Sequence, residues 1–99
     1  MVKKIIWSKN SENDFEEIIT YLKNKWNINA AIKFRDLVYF KLDILSKQPM
    51  IGIQSNKIEI IRKILITKHT YLYYALLNNQ IVLLGFFDVR QNPSKNTFE

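Results

Sequence analysis

Few side chains in this sequence can do acid–base or nucleophilic chemistry at neutral pH. There is no cysteine, which excludes a thiolate nucleophile, a thiolate zinc site and a disulfide scaffold together. His69 is the only histidine, and imidazole is the one side chain whose ordinary pKa lies near neutrality. A single histidine builds no multi-histidine metal site, and the chain offers no phosphate-binding glycine loop, no Ser/His/Asp triad and no metal-ligand spacing. Neither a metal nor another cofactor is expected. The remaining chemistry is cationic and aromatic. Arg62, Lys68, His69 and Arg90 are the candidate catalytic groups. Cleavage of RNA through its 2′-OH needs a base, a proton donor and cations for the developing phosphorane charge, and these four would have to supply them. Lys57, Lys63, Tyr71 and Tyr73 are the candidates for holding a phosphodiester backbone and stacking bases.

Strand periodicity sets which of these can meet. Arg62 shares a face with Ile60, Ile64 and Ile66, and Lys63 points the other way. Tyr71 and Tyr73 share a face and Tyr74 takes the opposite one. Lys68 and His69 open the following strand and diverge, and a one-residue register slip decides which of them faces Arg62. Arg62, one of Lys68 or His69, Arg90 and Lys57 would then converge on one concave surface. Each has a plainer alternative: an Asp88–Arg90 structural pair, a structural or surface histidine, and tyrosines that are half-buried strand formers.

The charge balance is 15 basic against 9 acidic residues, net +6, with a sequence pI near 9.6. Such a surplus attracts polyanions or an acidic partner. Twelve of the bases are lysine, beside ten asparagines and fifteen isoleucines, a set that A/T-rich codons alone would also produce. The surplus is even, with nine bases against six acids in residues 1–56 and six against three in residues 57–99.

The elements that must position these groups read as follows. Residues 2–8 suit a short strand. Ser11 starts a helix in Ser-x-x-Asp spacing with Asp14. Glu12, Asp14, Glu16 and Glu17 suit the positive end of its dipole, and Lys23 and Lys25 the other end. Phe15, Ile18, Ile19, Leu22 and Trp26 form one buried stripe. Asn29 caps a second helix over 30–46 with Ala31, Phe34, Val38, Leu42 and Leu45 inward, and Leu37, Phe40 and Ile44 widening that face. Pro49 and Gly52 end the helical part. Strands follow over 58–66, 70–77 and 80–89, with Asn78-Asn79 as a two-residue turn and Gly85 as a bulge or a close backbone approach. Residues 91–99 are a polar tail. The predicted fold is α+β, one domain over 1–99 in the order β-α-α-β-β-β, a mostly antiparallel sheet against an N-terminal helical hairpin. The longest apolar runs have seven residues, where a membrane span needs about 20. The N-terminus meets charge too soon for a secretory signal, so the expected compartment is the cytoplasm.

The chain resembles the RelE/ParE superfamily of bacterial toxins, the toxic halves of type II toxin–antitoxin pairs, from about Lys3 to Lys95. The similarity runs through Trp7-Ser8, Asp14-Phe15-Glu16-Glu17-Ile18, Tyr21-Leu22, Ala31 and Phe34, Leu45…Pro49…Gly52, Ile61-Arg62-Lys63 and Tyr73-Tyr74. Its most recognisable part is Ile81-x-x-Leu84-x-Phe86-Phe87-Asp88-x-Arg90-Gln91-Asn92-Pro93. The resemblance implies growth inhibition, plasmid stabilisation, and an acidic, partly disordered antitoxin laid over the helical hairpin or along a sheet edge. An obligate partner would account for exposed Ile51 and Ile53.

The superfamily divides by target. The RelE-like branch is an enzyme, a ribosome-dependent mRNA endoribonuclease. Arg62 and Arg90 match its arginines by position, with Lys68 or His69 near a third. Its C-terminal tyrosine or histidine has no counterpart in Gln91–Glu99, where Phe98 transfers no proton. The ParE-like branch poisons DNA gyrase, and the helical hairpin and the Pro49…Gly52 segment resemble that branch more. The expectation is a gyrase-directed toxin, with mRNA cleavage as the alternative. A non-toxic basic RNA-binding domain is the third reading.

Overall fold

The computed structural model describes residues 3–90 and 93–99. Val2 of the expected first strand, and Gln91 and Asn92 of the expected tail, lie outside the described residues. The elements are β1 (Lys4–Trp7), α1 (Lys9–Lys25), α2 (Ile28–Lys47), β2 (Ile53–Gln54), β3 (Ile61–Thr67), β4 (Thr70–Leu77) and β5 (Gln80–Asp88), then a 3-10 turn at Pro93–Lys95. They make one five-stranded sheet in the order β1-β5-β4-β3-β2. β1 runs parallel to β5, and the other neighbours are antiparallel. This is the α+β arrangement read from the sequence, with one addition. β2 is a two-residue strand that periodicity cannot register.

The helical hairpin covers one sheet face. Val38, Leu42 and Leu45 of α2 pack with Ile66, Leu72, Tyr74, Ile81, Leu83 and Phe86 of the sheet, and Phe15, Ile18, Ile19 and Leu22 of α1 close the side. Four aromatic rings join helices to strands: Trp7 meets Phe15 edge-on at 5.3 Å, and Phe15, Phe34 and Phe86 lie 6.0 to 6.3 Å apart. Each such pair is worth about 0.5–1.5 kcal/mol beyond its buried area.

Several sequence expectations need correction. The cap of α1 is Ser8, whose Oγ accepts from the Ser11 N–H at 3.1 Å, and Ser11 sits inside the first turn with its hydroxyl on the Ser8 carbonyl. The cap of α2 is Asn27, whose Oδ1 accepts from the Ala30 N–H. Trp26 is 72% exposed, because α1 ends at Lys25 and the chain turns before the stripe can recur. Phe40 is 61% exposed: two residues past Val38, it lies about 200° round the helix from the buried line. Residues 58–60 form a turn ahead of β3. The Asn78-Asn79 turn is as read, both residues having positive φ (49° and 63°).

β5 is longer than its neighbour β1, and the mismatch organises the start of α1. Pairing with β1 ends at Trp7–Leu83. Beyond it the register with β4 slips so that Tyr73 faces Gly85 and Tyr74 faces Leu83, leaving Leu84 as a bulge. The freed Leu84 carbonyl accepts from Asn10 Nδ2 at 2.8 Å, and the Phe86 N–H donates to the Asp14 carboxylate at 2.9 Å. Asp14, in the second turn of α1, thus serves the sheet backbone, and Glu12 is the acid of the first turn. A Cβ on Gly85 would lie under 3.0 Å from both Asn10 and Asp14, so the bulge and the close approach expected of this glycine occur together.

Candidate functional site

The candidate residues fall into three places. Arg62 lies on the helix side of the sheet, opposite Tyr74 in the β3–β4 register. Its Nη1 donates to the Gly52 carbonyl at 2.8 Å and to the Met50 carbonyl at 3.4 Å. The buried Tyr74 hydroxyl donates to the Pro49 carbonyl at 2.8 Å and accepts from the Gly52 N–H at 2.9 Å. Burial pushes this phenol above its ordinary pKa. Gly52 is needed here because a Cβ would stand 2.4 Å from the Tyr74 oxygen. The Pro49–Gly52 segment is therefore latched to β3 and β4, and the guanidinium of Arg62 is engaged in the latch.

The second place is the far end of β3. Lys68 and His69 form the β3–β4 turn, where the sequence placed them at the opening of a strand. About 17 Å of extended strand separates Arg62 from Thr67, the residue before them. The expected convergence with Arg62 does not occur. Arg90 does come to this end: the Val89 N–H donates to the His69 carbonyl at 2.8 Å, and Thr70 faces Asp88 in register. Arg90 grips Asp88 through Nε at 3.0 Å, Nη2 at 2.7 Å and its backbone N–H at 2.8 Å. These hydrogen bonds, with a smaller effect of His69, hold the Asp88 carboxyl below its ordinary value. Arg90 is itself exposed.

The third place is the outer sheet face. Lys63, Tyr71 and Tyr73 share it, with the two tyrosine rings 6.4 Å apart and the Lys63 ammonium 4.6 Å from the Tyr71 ring centre. Chain segment 93–99 lies across this face. The Phe98 ring stacks on Tyr73 at 4.9 Å, Asn96 Nδ2 donates to the Tyr73 hydroxyl at 2.9 Å, and Glu99 pairs with Lys63 at 2.7 Å. Burial pulls the Lys63 pKa down, but the Glu99 hydrogen bond and the nearby Tyr73, Glu99 and Tyr71 outweigh it and hold the ammonium above its ordinary value. Lys57 is exposed in the loop that Ser55 ties down, where Ser55 Oγ accepts from the Lys57 and Ile58 N–H groups and donates to the Phe98 carbonyl. Asn96, Phe98, Glu99 and Ser55 were not singled out as contacts from the sequence. A lone aromatic next to an acid in a polar tail was the only signal.

An apolar groove of about 320 Å³ wraps the β3 edge where β2 stops, lined by Ile44, Ile51, Ile53, Ile64 and Leu65 and flanked by Lys41 and Lys63. Ile51, ahead of β2, and Ile53, within it, are 51% and 65% exposed there. Among the described residues, no group of three or more His, Asp or Glu side chains could hold a metal ion, and no helix is long and apolar enough to cross a membrane.

Residues 5–93 match the family model described as ParE toxin of type II toxin–antitoxin system, parDE. Among solved structures, a chain of the chromosomal ParDE TA system from P. aeruginosa superposes with a TM-score of 0.76. The match covers 90% of this chain and 98% of that one at 12% identity, a likeness of fold alone. No curated protein matches the sequence.

Proposed function

Because the chain belongs to the ParE toxin family of type II toxin–antitoxin systems, we propose that it arrests growth by poisoning DNA gyrase and is neutralised by an acidic antitoxin. The observation that carries the choice of target is the dispersal of the candidate nuclease residues. Arg62 is committed to the Gly52 and Met50 carbonyls on the helix side. Arg90 is committed to Asp88 at the far end of the sheet. Phosphoryl transfer needs its cations and its proton donor within hydrogen-bond reach of one phosphate, and Arg62 and His69 stand at opposite ends of β3. A binding poison needs no such convergence.

The antitoxin reading rests on the groove at the β3 edge and on the net charge of +6. The sheet order ends at β2, which among the described residues pairs with Lys63 and Arg62 alone, so β3 beyond Lys63 offers an unpaired edge. An extended acidic segment can add to that edge, fill the groove with apolar side chains and place a carboxylate against Lys41.

The test is expression in a bacterium without a partner. The reading expects growth arrest with induction of the DNA-damage response and with mRNA intact by primer extension. The RelE-like alternative draws on the Lys68-His69 turn and Arg90 lying at the same end of the sheet. New mRNA ends at ribosome-occupied codons, lost in His69→Ala and Arg90→Ala variants, would establish it instead.

A further inference from the structure

The outer sheet face holds a formed slot, and a piece of this chain fills it. Its floor is the Tyr73 ring beside Gly85, where an added Cβ would come within 3.2 Å of the Phe98 ring. Its polar ends are the Tyr73 hydroxyl, taken by Asn96, and the Lys63 ammonium, taken by Glu99. Ser55 holds the backbone between them through the Phe98 carbonyl at 2.7 Å. The Lys63–Glu99 pair is largely withdrawn from solvent, with side-chain exposures of 17% and 27%. The slot thus accepts an aromatic ring and the carboxylate that follows it, with one backbone carbonyl bonded in between. These contacts hold a segment of only four residues, 96–99. Such a segment stays in place mainly because it is tethered, which raises its effective concentration.

We infer that this slot is a docking site for an acidic partner peptide carrying an aromatic residue followed by a carboxylate, and that segment 96–99 closes it in cis. The partner is assigned by the chemistry of the present occupant and by the positive charge of the chain. If the partner is the antitoxin, which rests on the function proposed above, its segment must displace residues 96–99. Binding and release of the tail are then one equilibrium.

The test uses the 99-residue chain carrying Phe98→Ala and Glu99→Gln, which frees the slot. The probe is a synthetic peptide of residues 93–99, and the readout is the amide resonances of Lys63, Tyr73 and Gly85. The expected result is saturable shifts in the double variant and a response at least about tenfold weaker in the unmodified chain, where the tethered segment competes. A peptide with alanine in place of its phenylalanine should give none, and adding Lys63→Gln to the protein should weaken binding. If the double variant does not fold by circular dichroism, Asn96→Ala loosens the segment from its other end and serves in its place. Three results overturn the inference: a folded variant that does not bind the peptide, equal binding with and without the tail substitutions, or saturation of the same amides by a single-stranded oligonucleotide with no response to the peptide. Gyrase poisoning is measured separately. An empty result for the peptide with poisoning intact removes the slot alone, and the reverse removes the target alone.

Discussion

Tyr74 and Asp14 show how single polar groups hold this fold. The Tyr74 hydroxyl bonds both Pro49 and Gly52 from a fully buried ring. Tyr74→Phe keeps the packing but leaves a carbonyl and an N–H without their partner, and should cost about 1–3 kcal/mol in urea unfolding. Asp14 is a different case. Burial raises its pKa above 3.8, opposed by the Phe86 N–H and assisted by Glu17. A carboxyl raised in the folded state contributes stability that is complete below the unfolded pKa and is lost as pH rises through the folded pKa. Asp14→Asn retains an acceptor for Phe86 without the charge. It should therefore match the parent chain near pH 3 and gain on it as pH rises to 7, in paired thermal melts. A constant difference across that range would show that ionisation of Asp14 is not the cause. Asp88 has the opposite sign. Arg90 lowers its pKa, so its contribution is present above 3.8 and is lost as pH falls through the folded value.

At the scale of elements, strongly periodic segments were legible and their ends were not. The α2 line from Ala31 to Leu45 is buried as read, and Phe34→Asp should unfold the chain, a loss of about 3 kcal/mol or more, by placing an unpaired charge among Phe15 and Phe86. The Asn78-Asn79 turn was legible because asparagine tolerates positive φ. Asn78→Ala should cost about 1 kcal/mol in the same assay. The cap of α1 was misread because Ser8 and Ser11 offer the same hydroxyl three residues apart, and only the end of β1 at Trp7 decides between them. β2 has two residues and no period. The convergence of Arg62 with His69 failed for a geometric reason: alternation along a strand says which face a residue takes but not how far along the sheet its partner lies. The tail contacts join Lys63, Tyr73 and Ser55 to residues far along the chain, and no local pattern encodes such pairings.

For the whole molecule, the sheet has one face under helices, one face crossed by segment 93–99 and an open edge at β3. Net charge of +6 acts on all of them at once. Encounter with an acidic antitoxin should be fast at low salt and slow as ionic strength rises, while dissociation depends on the groove. Leu65→Asp, in a side chain already 44% exposed, should leave the melting temperature within about 1–2 °C of the parent, since surface changes of this kind cost little, and should weaken antitoxin binding by at least about tenfold if the edge is the dock. Unchanged affinity would move the antitoxin to another surface.

Action on gyrase as a binding poison, proposed above, can be tested on the purified enzyme. The direct measurement is supercoiling of relaxed plasmid by purified gyrase with increasing amounts of the chain, followed by detergent and protease to reveal trapped breaks. Supercoiling should stop and linear plasmid accumulate, equally with the parent chain and with a His69→Ala, Arg90→Ala variant. Normal supercoiling with no linear product, at concentrations that arrest growth, would contradict it.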